Sequence, residues 1–326
     1  MGITGAQQYA LYKYESAFKG EVAGTFKNLG HEFKLDSYTG KNNVAKLWGL
    51  NSNEPPAQVA GKFEGSFSGS FKLSDPWIFR ALTGNAATTS GAGPYTHTFL
   101  NTDATPTFSN TIPSMAFSIG NDLATDMVLV AGGTVLKSLT MDMKVGEPID
   151  CKAEFDFATE TKGTTLDTFV APTDAPFTFA YATLEFPTAT TITNAIQSLT
   201  LTITRNPELI WGLGSRAAAD YVTKKAEYEI KANWTLSAST MREYMYGTTG
   251  LTTPAAVMTE AAGLKITLDN GLATTANRKL VLEFEGALMN EHAISGSVED
   301  KTTEDMTFSI RKWKSCIATN NTSAAP

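Results

Sequence analysis

Phe63-Glu64-Gly65-Ser66-Phe67-Ser68-Gly69-Ser70-Phe71-Lys72 alternates between apolar or small residues and polar ones. Ala226-Glu227-Tyr228-Glu229-Ile230-Lys231-Ala232-Asn233-Trp234-Thr235 repeats the pattern with its polar positions aligned, at an offset of 227 − 64 = 163 residues. A period of two marks a strand with one buried and one wet face. The offset is half of the 326 residues. It carries the flanking text with it: Leu47-Trp48-Gly49-Leu50-Asn51-Ser52 precedes the first strand, and Ile210-Trp211-Gly212-Leu213-Gly214-Ser215 the second. Downstream, Leu73-Ser74 lines up with Leu236-Ser237. Such internal repetition points to a chain of two related β units, residues 1–165 and 166–326, and to architecture rather than catalysis.

The same alternation recurs elsewhere. Leu139, Met141, Met143 and Val145 alternate with Ser138, Thr140, Asp142 and Lys144, and Cys151, Ala153, Phe155 and Phe157 with Asp150, Lys152, Glu154 and Asp156. The intervening Val145-Gly146-Glu147-Pro148 predicts a hairpin. Leu199, Leu201 and Ile203 predict a further strand, Leu280, Leu282 and Phe284 another, and Met306, Phe308 and Ile310 the last one before Trp313. The fold class is mainly β, with one short helix flanking each sheet. The first helix is expected with Asp75 as N-cap, Pro76 at its first helical position and Gly84 as terminator. The second is expected from Ser239 or Thr240, with Glu243 as capping-box partner, to Gly247. Residues 31–60 and 86–113 lack a sustained period and are expected to be long loops, and the polar tail 315–326 to be the least ordered part.

Hydrophobic residues make up 42% and charged ones 18% of the chain, against roughly 25% charged in ordinary globular proteins. A surface poor in charge suits extensive self-association. A net charge of −7 argues against a protein that grips nucleic acid, because duplex binding relies on Lys and Arg displacing counterions. Cys151 and Cys316 are too few for a disulfide framework and lack metal-site spacing; two free thiols or one bridge both fit. No stretch approaches the roughly 18 apolar residues of a membrane span, and the first residues lack the pattern of an export signal. Synthesis and assembly in a cytoplasm are therefore expected.

Catalytic motifs are missing from the sequence. His31, His97 and His292 are isolated, as surface or loop histidines would be, and no cofactor is expected. Gly65-Ser66-Phe67-Ser68-Gly69 imitates a nucleophile elbow, but it lies inside an alternating strand, whereas an elbow needs a strand-to-helix turn. Small residues there permit close packing. Carboxylates two apart occur at Glu154 and Asp156, Glu227 and Glu229, and Glu283 and Glu285. Two carboxyls flank the scissile bond in a glycosidase, yet pairs spread over both halves fit one acidic face better.

The hairpin from Lys137 to Phe157 resembles tail tube proteins of long-tailed viruses. So does Gln197-Ser198-Leu199-Thr200-Leu201-Thr202-Ile203 with Trp211-Gly212-Leu213-Gly214-Ser215-Arg216 and Met241-Arg242-Glu243-Tyr244-Met245-Tyr246 after it. The resemblance extends from Leu11 to Trp313. Gly49-Leu50-Asn51-Ser52-Asn53 departs from Gly-Leu-Gly-Ser-Arg, which implies different contacts for the first half. In that family, the resemblance implies, each tube domain contributes a four-stranded curved patch to a large β-barrel. Six patches close a ring, and rings stack into a hollow tube that delivers the genome. Two such domains per chain imply three chains per ring, and one domain with an accessory part would imply six. About 24 strands at roughly 4.8 Å spacing and a tilt near 40° give a backbone diameter of about 48 Å, wide enough for a duplex. Other tail proteins would cap the ends, and a capsid protein, a surface adhesin or a carbohydrate-active enzyme is the competing reading.

On this reading Phe63, Phe67, Phe71, Phe155, Phe157, Tyr228, Ile230 and Trp234 pack against the helices with Trp77 and Phe79. Glu64, Ser66, Ser68, Ser70, Lys72, Glu154, Asp156, Glu227, Glu229 and Lys231 line the channel. Net acidity would keep DNA from sticking, and Lys72, Lys152 and Lys231 would temper the field. The segment 31–60, with Lys41, Asn42, Asn43, Trp48 and Asn51, is the expected ring-to-ring element. Deleting residues 41–51 is expected to leave soluble subunits that form no tubes by electron microscopy; normal tubes would count against that role.

Overall fold

A computed structural model describes residues 8–20, 25–48, 50, 53–172, 174–178, 182–192, 196–236, 240–260, 263–270, 272, 277–297 and 301–321. The first half contains β1 (Gln8–Tyr14), β2 (His31–Lys41), β3 (Ala45–Leu47), β4 (Ala57–Val59), β5 (Glu64–Lys72), α1 (Ile78–Thr83) and β6 (Thr88–Ser90). It continues through β7 (Tyr95–Asn101), β8 (Met115–Asn121), β9 (Met127–Lys144), β10 (Asp150–Phe157) and β11 (Thr159–Gly163). The second half contains β12 (Thr183–Glu185), β13 (Ile196–Thr204), β14 (Pro207–Ile210), β15 (Asp220–Thr223) and β16 (Glu227–Thr235). It ends with α2 (Thr240–Tyr246), β17 (Leu264–Asp269), β18 (Lys279–Ser295) and β19 (Thr303–Asn320).

Fifteen of these strands form one sheet whose main path reads β12-β17-β18-β19-β16-β13-β9-β10-β5-β2. The path contains one order twice: β2-β5-β10-β9 in the first half and β13-β16-β19-β18 in the second. In each, the two early strands lie side by side and a long hairpin folds back so that its second arm pairs with the second early strand. Flanking strands repeat as well, since β1 pairs β8 and β8 pairs β9, while β12 pairs β17 and β17 pairs β18. The halves join edge to edge, with Ser138–Lys144 of β9 antiparallel to Ser198–Thr204 of β13. Neither half closes into a barrel.

The repeat extends to a defect. In β9 the pairing with β10 jumps from Ser138 to Leu136, skipping Lys137. In β18 the pairing with β19 jumps from Glu291 to Met289, skipping Asn290. Glu154 and Thr307, opposite these jumps, are counterparts through Ser68 and Lys231. A bulge adds local twist and bends its strand. Both hairpins thus turn at one position, and β9 uses its first half to pair β8 and β11 and its second half to pair β10 and β13.

The apolar side of the shared sheet forms one core. Phe67 stacks on Phe155 with ring centroids 4.7 Å apart and meets Phe117 edge-on at 4.8 Å. In the second half Phe284 stacks on Trp313 at 5.9 Å, and Tyr228 meets Trp313 edge-on at 6.1 Å. Phe71, Phe157, Ile230 and Trp234 are buried, and Phe63 packs partly buried against them. Trp77 and Phe79 belong to the same cluster, and Phe79 meets Trp313 edge-on, so the first helix is held against strands of both halves. Cys151 and Cys316 are free thiols in this core, and burial pushes both thiols well up from their ordinary range.

Several expectations need correction. Residues 31–41 form a strand, not a loop; two register shifts against β5 break the alternation that would have announced it. Residues 86–113 hold β6 and β7, and β7 pairs with the end of β19, which fixes 315–320 of the expected loose tail. His97 is buried there, hydrogen bonded to Thr89 and to Asn320, both at 2.9 Å, and His292 is buried beside Glu304 at 2.7 Å. Helix α1 starts at Ile78 with no side-chain cap, although Gly84 ends it as expected, at φ 79°. In α2, which begins at Thr240, Glu243 accepts from the Gly250 N–H at 2.7 Å.

Gly65 and Gly69 are required by the core. A Cβ on Gly65 would lie 2.1 Å from the Phe157 ring, and one on Gly69 would lie 2.6 Å from Phe33. Gly65→Val is expected to destabilise the chain by about 1–3 kcal/mol through overpacking. Ser66→Val on the wet face is expected to stay within about 0.5 kcal/mol; thermal unfolding of both variants checks this. Asp75 gives a second test. Burial, with Asp174 adding its charge, pushes its carboxyl up from 3.8 to about 6. The folded state therefore holds this proton more tightly, so its contribution to stability is full below 3.8 and is lost as pH rises through about 6. Asp75→Asn is expected to stabilise the protein at pH 7 by on the order of 2–3 kcal/mol, with no gain at pH 3. Denaturant unfolding at both pH values measures the difference.

Candidate functional site

Period-two alternation places Glu64, Ser66, Ser68, Ser70 and Lys72 of β5 on the face opposite the core, together with Glu154 and Asp156 of β10 and Glu227, Glu229 and Lys231 of β16. The pairing assembles them into rows. One row runs Ser37, Ser68, Glu154, Ser138, Thr204, Glu227. The next runs Ser70, Lys152, Thr140, Thr202, Glu229, Ser309. A third runs Lys72, Asp150, Asp142, Thr200, Lys231, Thr307, Glu291. The rows cross the β9·β13 joint without a break, so both halves present one surface. Residues of β9 and β13 in these rows were missed as site candidates, although the Ser and Thr alternation of 198–204 carried the signal.

The surface alternates hydroxyls with ion pairs. Lys72 Nζ reaches Asp150 at 2.5 Å, Lys62 reaches Glu64 at 2.6 Å and Lys231 reaches Glu229 at 3.1 Å, while Lys225 pairs with Glu227. Exposed pairs of this kind contribute about 0–1 kcal/mol to stability, so their role is to set the local field. Hydrogen bonds from Lys62 and Asn43 hold the Glu64 carboxyl below its ordinary range, and the bond to Asp150 raises the Lys72 ammonium. Partial burial pushes Asp156 up. Between the charges, Ser37 and Ser68 hydroxyls bond at 2.8 Å, and Thr200 donates to Asp142 at 2.7 Å. The third carboxylate pair lies elsewhere: Glu283 is bound by Lys314 at 3.0 Å and Glu285 by Lys312 at 3.4 Å. Among the described residues no cluster of His, Cys, Asp or Glu is arranged to hold a metal ion.

The second element is a pair of small hairpins at equivalent positions, β3·β4 and β14·β15. Their tips expose Leu50 and Leu213 fully, at 104% and 108%. The predicted ring-to-ring set is divided between base and tip of the first hairpin. Asn43 clamps the base, donating to the Lys62 carbonyl at 3.1 Å and to Glu64 at 2.7 Å, and Asn42 accepts from Arg216. Lys41 ends β2, and Trp48 lies toward the tip, 64% exposed. Asn51 lies outside the described residues.

The second hairpin leans on the first half. Trp211 Nε1 donates to the Phe63 carbonyl at 3.1 Å, and Lys62 Nζ sits 4.1 Å above the indole ring. Arg216 donates to the Gly61 carbonyl at 2.9 Å, and the Phe63 N–H donates to the Arg216 carbonyl at 2.8 Å. Cation–π contacts contribute roughly 0.5–2 kcal/mol, most where water is excluded. Beyond the sheet joint, therefore, the halves are held by a tryptophan set onto a lysine-covered shoulder.

The duplicated strand order, the continuous wet face and the exposed hairpins describe a repeated building element. No curated protein matches the chain. The family model for phage tail tube proteins matches residues 5–310. The chain thus belongs to the phage tail tube protein family and is a structural component of the virion tail.

Proposed function

We propose that three copies of this chain close head to tail into a ring, that rings stack into a hollow tube, and that the genome passes through it. The in-chain joint carries this reading: the outer strand β9 of one repeat pairs with the first strand β13 of the next, while β2 and the far part of β18 have no outer strand neighbour among the described residues. A head-to-tail contact that recurs generates a ring where its rotation closes and an open helical filament where it does not. Two tube domains per chain, 1–165 and 166–326, then supply six patches of four strands. Closure removes the sheet edges that otherwise invite uncontrolled pairing.

In this assembly the rows through Glu154, Glu227 and Glu229 face the bore. Their carboxylates repel a duplex that carries one charge per about 1.7 Å of axis, and Lys72, Lys152 and Lys231 keep the repulsion mild. The tips bearing Leu50 and Leu213 meet the adjacent ring, where burying an exposed leucine contributes roughly 1.5–3 kcal/mol each. Partners are further copies of the chain and the proteins that end the tube, and assembly takes place in the host cytoplasm. Cryo-electron microscopy of the purified protein is expected to give hollow tubes with three chains per ring and Glu154 and Glu229 on the inner wall. Closed shells, a chain that stays single, or carboxylates on the outer wall would overturn the proposal, and six chains per ring would overturn the trimer.

A further inference from the structure

The contact between the halves is a template for a contact that the chain leaves unmade. In the joint, Thr140 lies opposite Thr202, Met141 opposite Leu201 and Ser138 opposite Thr204. Counterparts follow from the shared register. Through Ser70 and Asn233, Thr140 corresponds to Ala293; through Phe71 and Trp234, Met141 corresponds to Ile294; through Ser68 and Lys231, Ser138 corresponds to Glu291. On the other side, Tyr38 corresponds to Leu201, Thr39 to Thr202 and Lys41 to Thr204, by their pairing with β5 and β16.

Met141 and Leu201 are fully buried, each covered by the other strand, whereas Ile294 is 52% exposed on the same side of the sheet. Beyond Phe284 the outer edge of β18 has no strand partner among the described residues, and β2 ends the sheet path. Neither edge contains a proline, so every backbone group there can enter a ladder.

We propose that β2 of one copy pairs antiparallel with Glu291–Ser295 of a second copy in the register of the in-chain joint. This rests on the ring reading and names its interface. Lys41 then lies opposite Glu291, Thr39 opposite Ala293 and Tyr38 opposite Ile294. Opposite charges face each other on the wet side, and an aromatic ring covers the exposed isoleucine on the apolar side; cross-strand pairs of both kinds contribute roughly 0.2–1 kcal/mol. Gly40 lies opposite His292, whose carbonyl accepts from Arg242 at 3.1 Å and keeps a second lone pair for the incoming N–H.

The hairpin follows the same template. Lys225 is the counterpart of Lys62, and it pairs with Glu227 as Lys62 does with Glu64. Trp48 of one copy therefore sets its indole beneath Lys225 of the next, with its N–H directed to the Ala226 carbonyl, as Trp211 does to Phe63 within the chain. Arg205 reinforces the in-chain joint by reaching the Leu82 and Ser109 carbonyls. Its counterpart, Asn42, is too short for this, which makes the contact between copies the weaker of the two.

The in-chain bonds from Arg205 N to the Lys137 carbonyl and from Val145 N to the Gln197 carbonyl fix which pairs are hydrogen bonded. Thr140 and Thr202 fall between them, so Thr39 and Ala293 form a non-bonded pair with Cα atoms about 4.5 Å apart, within disulfide reach of about 4.4–6.8 Å. The double variant Thr39→Cys with Ala293→Cys is expected to give, on mild oxidation, intermolecular disulfides ending at a covalent trimer on a non-reducing gel. Thr39→Cys with Ser295→Cys, two residues out of register, is expected to link at least tenfold less. In unmodified protein, carbodiimide coupling of mixed 15N and 14N chains is expected to join Lys41 to Glu291 across labels. Tubes without the in-register disulfide, or without the mixed-label peptide, overturn the register and leave the ring reading standing. A chain that remains single under both conditions overturns both.

Discussion

A strand at the edge of a sheet presents backbone donors and acceptors that must find partners, and in this molecule that requirement organises everything else. The first repeat finishes on β9, and β13 of the second satisfies it along Ser138–Lys144. The second repeat finishes on β18, where Glu291–Ser295 pair with β19 and with no other strand among the described residues. Among the described residues one chain thus contains one joint between repeats and two open sheet edges, at β2 and at the far part of β18. The joint is reinforced by Trp211 under Lys62 and by Arg205 against the end of α1. These contacts explain how two repeats share one core while their wet faces run together as a single surface.

That surface is built from hydroxyls and ion pairs. Its carboxylates sit beside lysines or hydroxyls at fixed spacing, with no nucleophile held by a base and no converging metal ligands among the described residues. The strongly desolvated polar groups lie in the core instead. His292 and Glu304 face each other at 2.7 Å, and His97 bridges Thr89 and Asn320. Their positions, at the hairpin β18·β19 and at the docking of β7 on β19, tie down the longest strands of the second half.

Much of the architecture was legible in the sequence because both faces of each central strand were written in alternating residues. The equivalence of 64–72 and 227–235, the hairpin at 144–150 and the burial of Phe67, Phe155 and Trp234 all follow from period two. What escaped was whatever interrupts that period. Bulges in β2 disguised a strand as a loop, short β6 and β7 lay among Gly and Pro, and the tail gained order by pairing with β18 on one side and, on the other, with β7 more than two hundred residues earlier. The wet face was half legible: its acidic positions stood out, while the serines and threonines of β9 and β13 became part of it only when the register placed them there. Trp48 and Trp211 read as copies, but only the fold shows that Trp211 is docked while Trp48 is exposed.

In the proposed assembly the inequality of the two hairpins would reach beyond a single ring. A ring of three chains would carry six tips that alternate between two kinds, one with Asn53 near its end and the other with Arg216. Rotating such a ring by 60° exchanges unlike tips, and only 120° restores like with like. In the proposed assembly successive rings would thereby be keyed to a threefold helical registry, so gene duplication would have given the tube a rotational phase that six identical subunits lack.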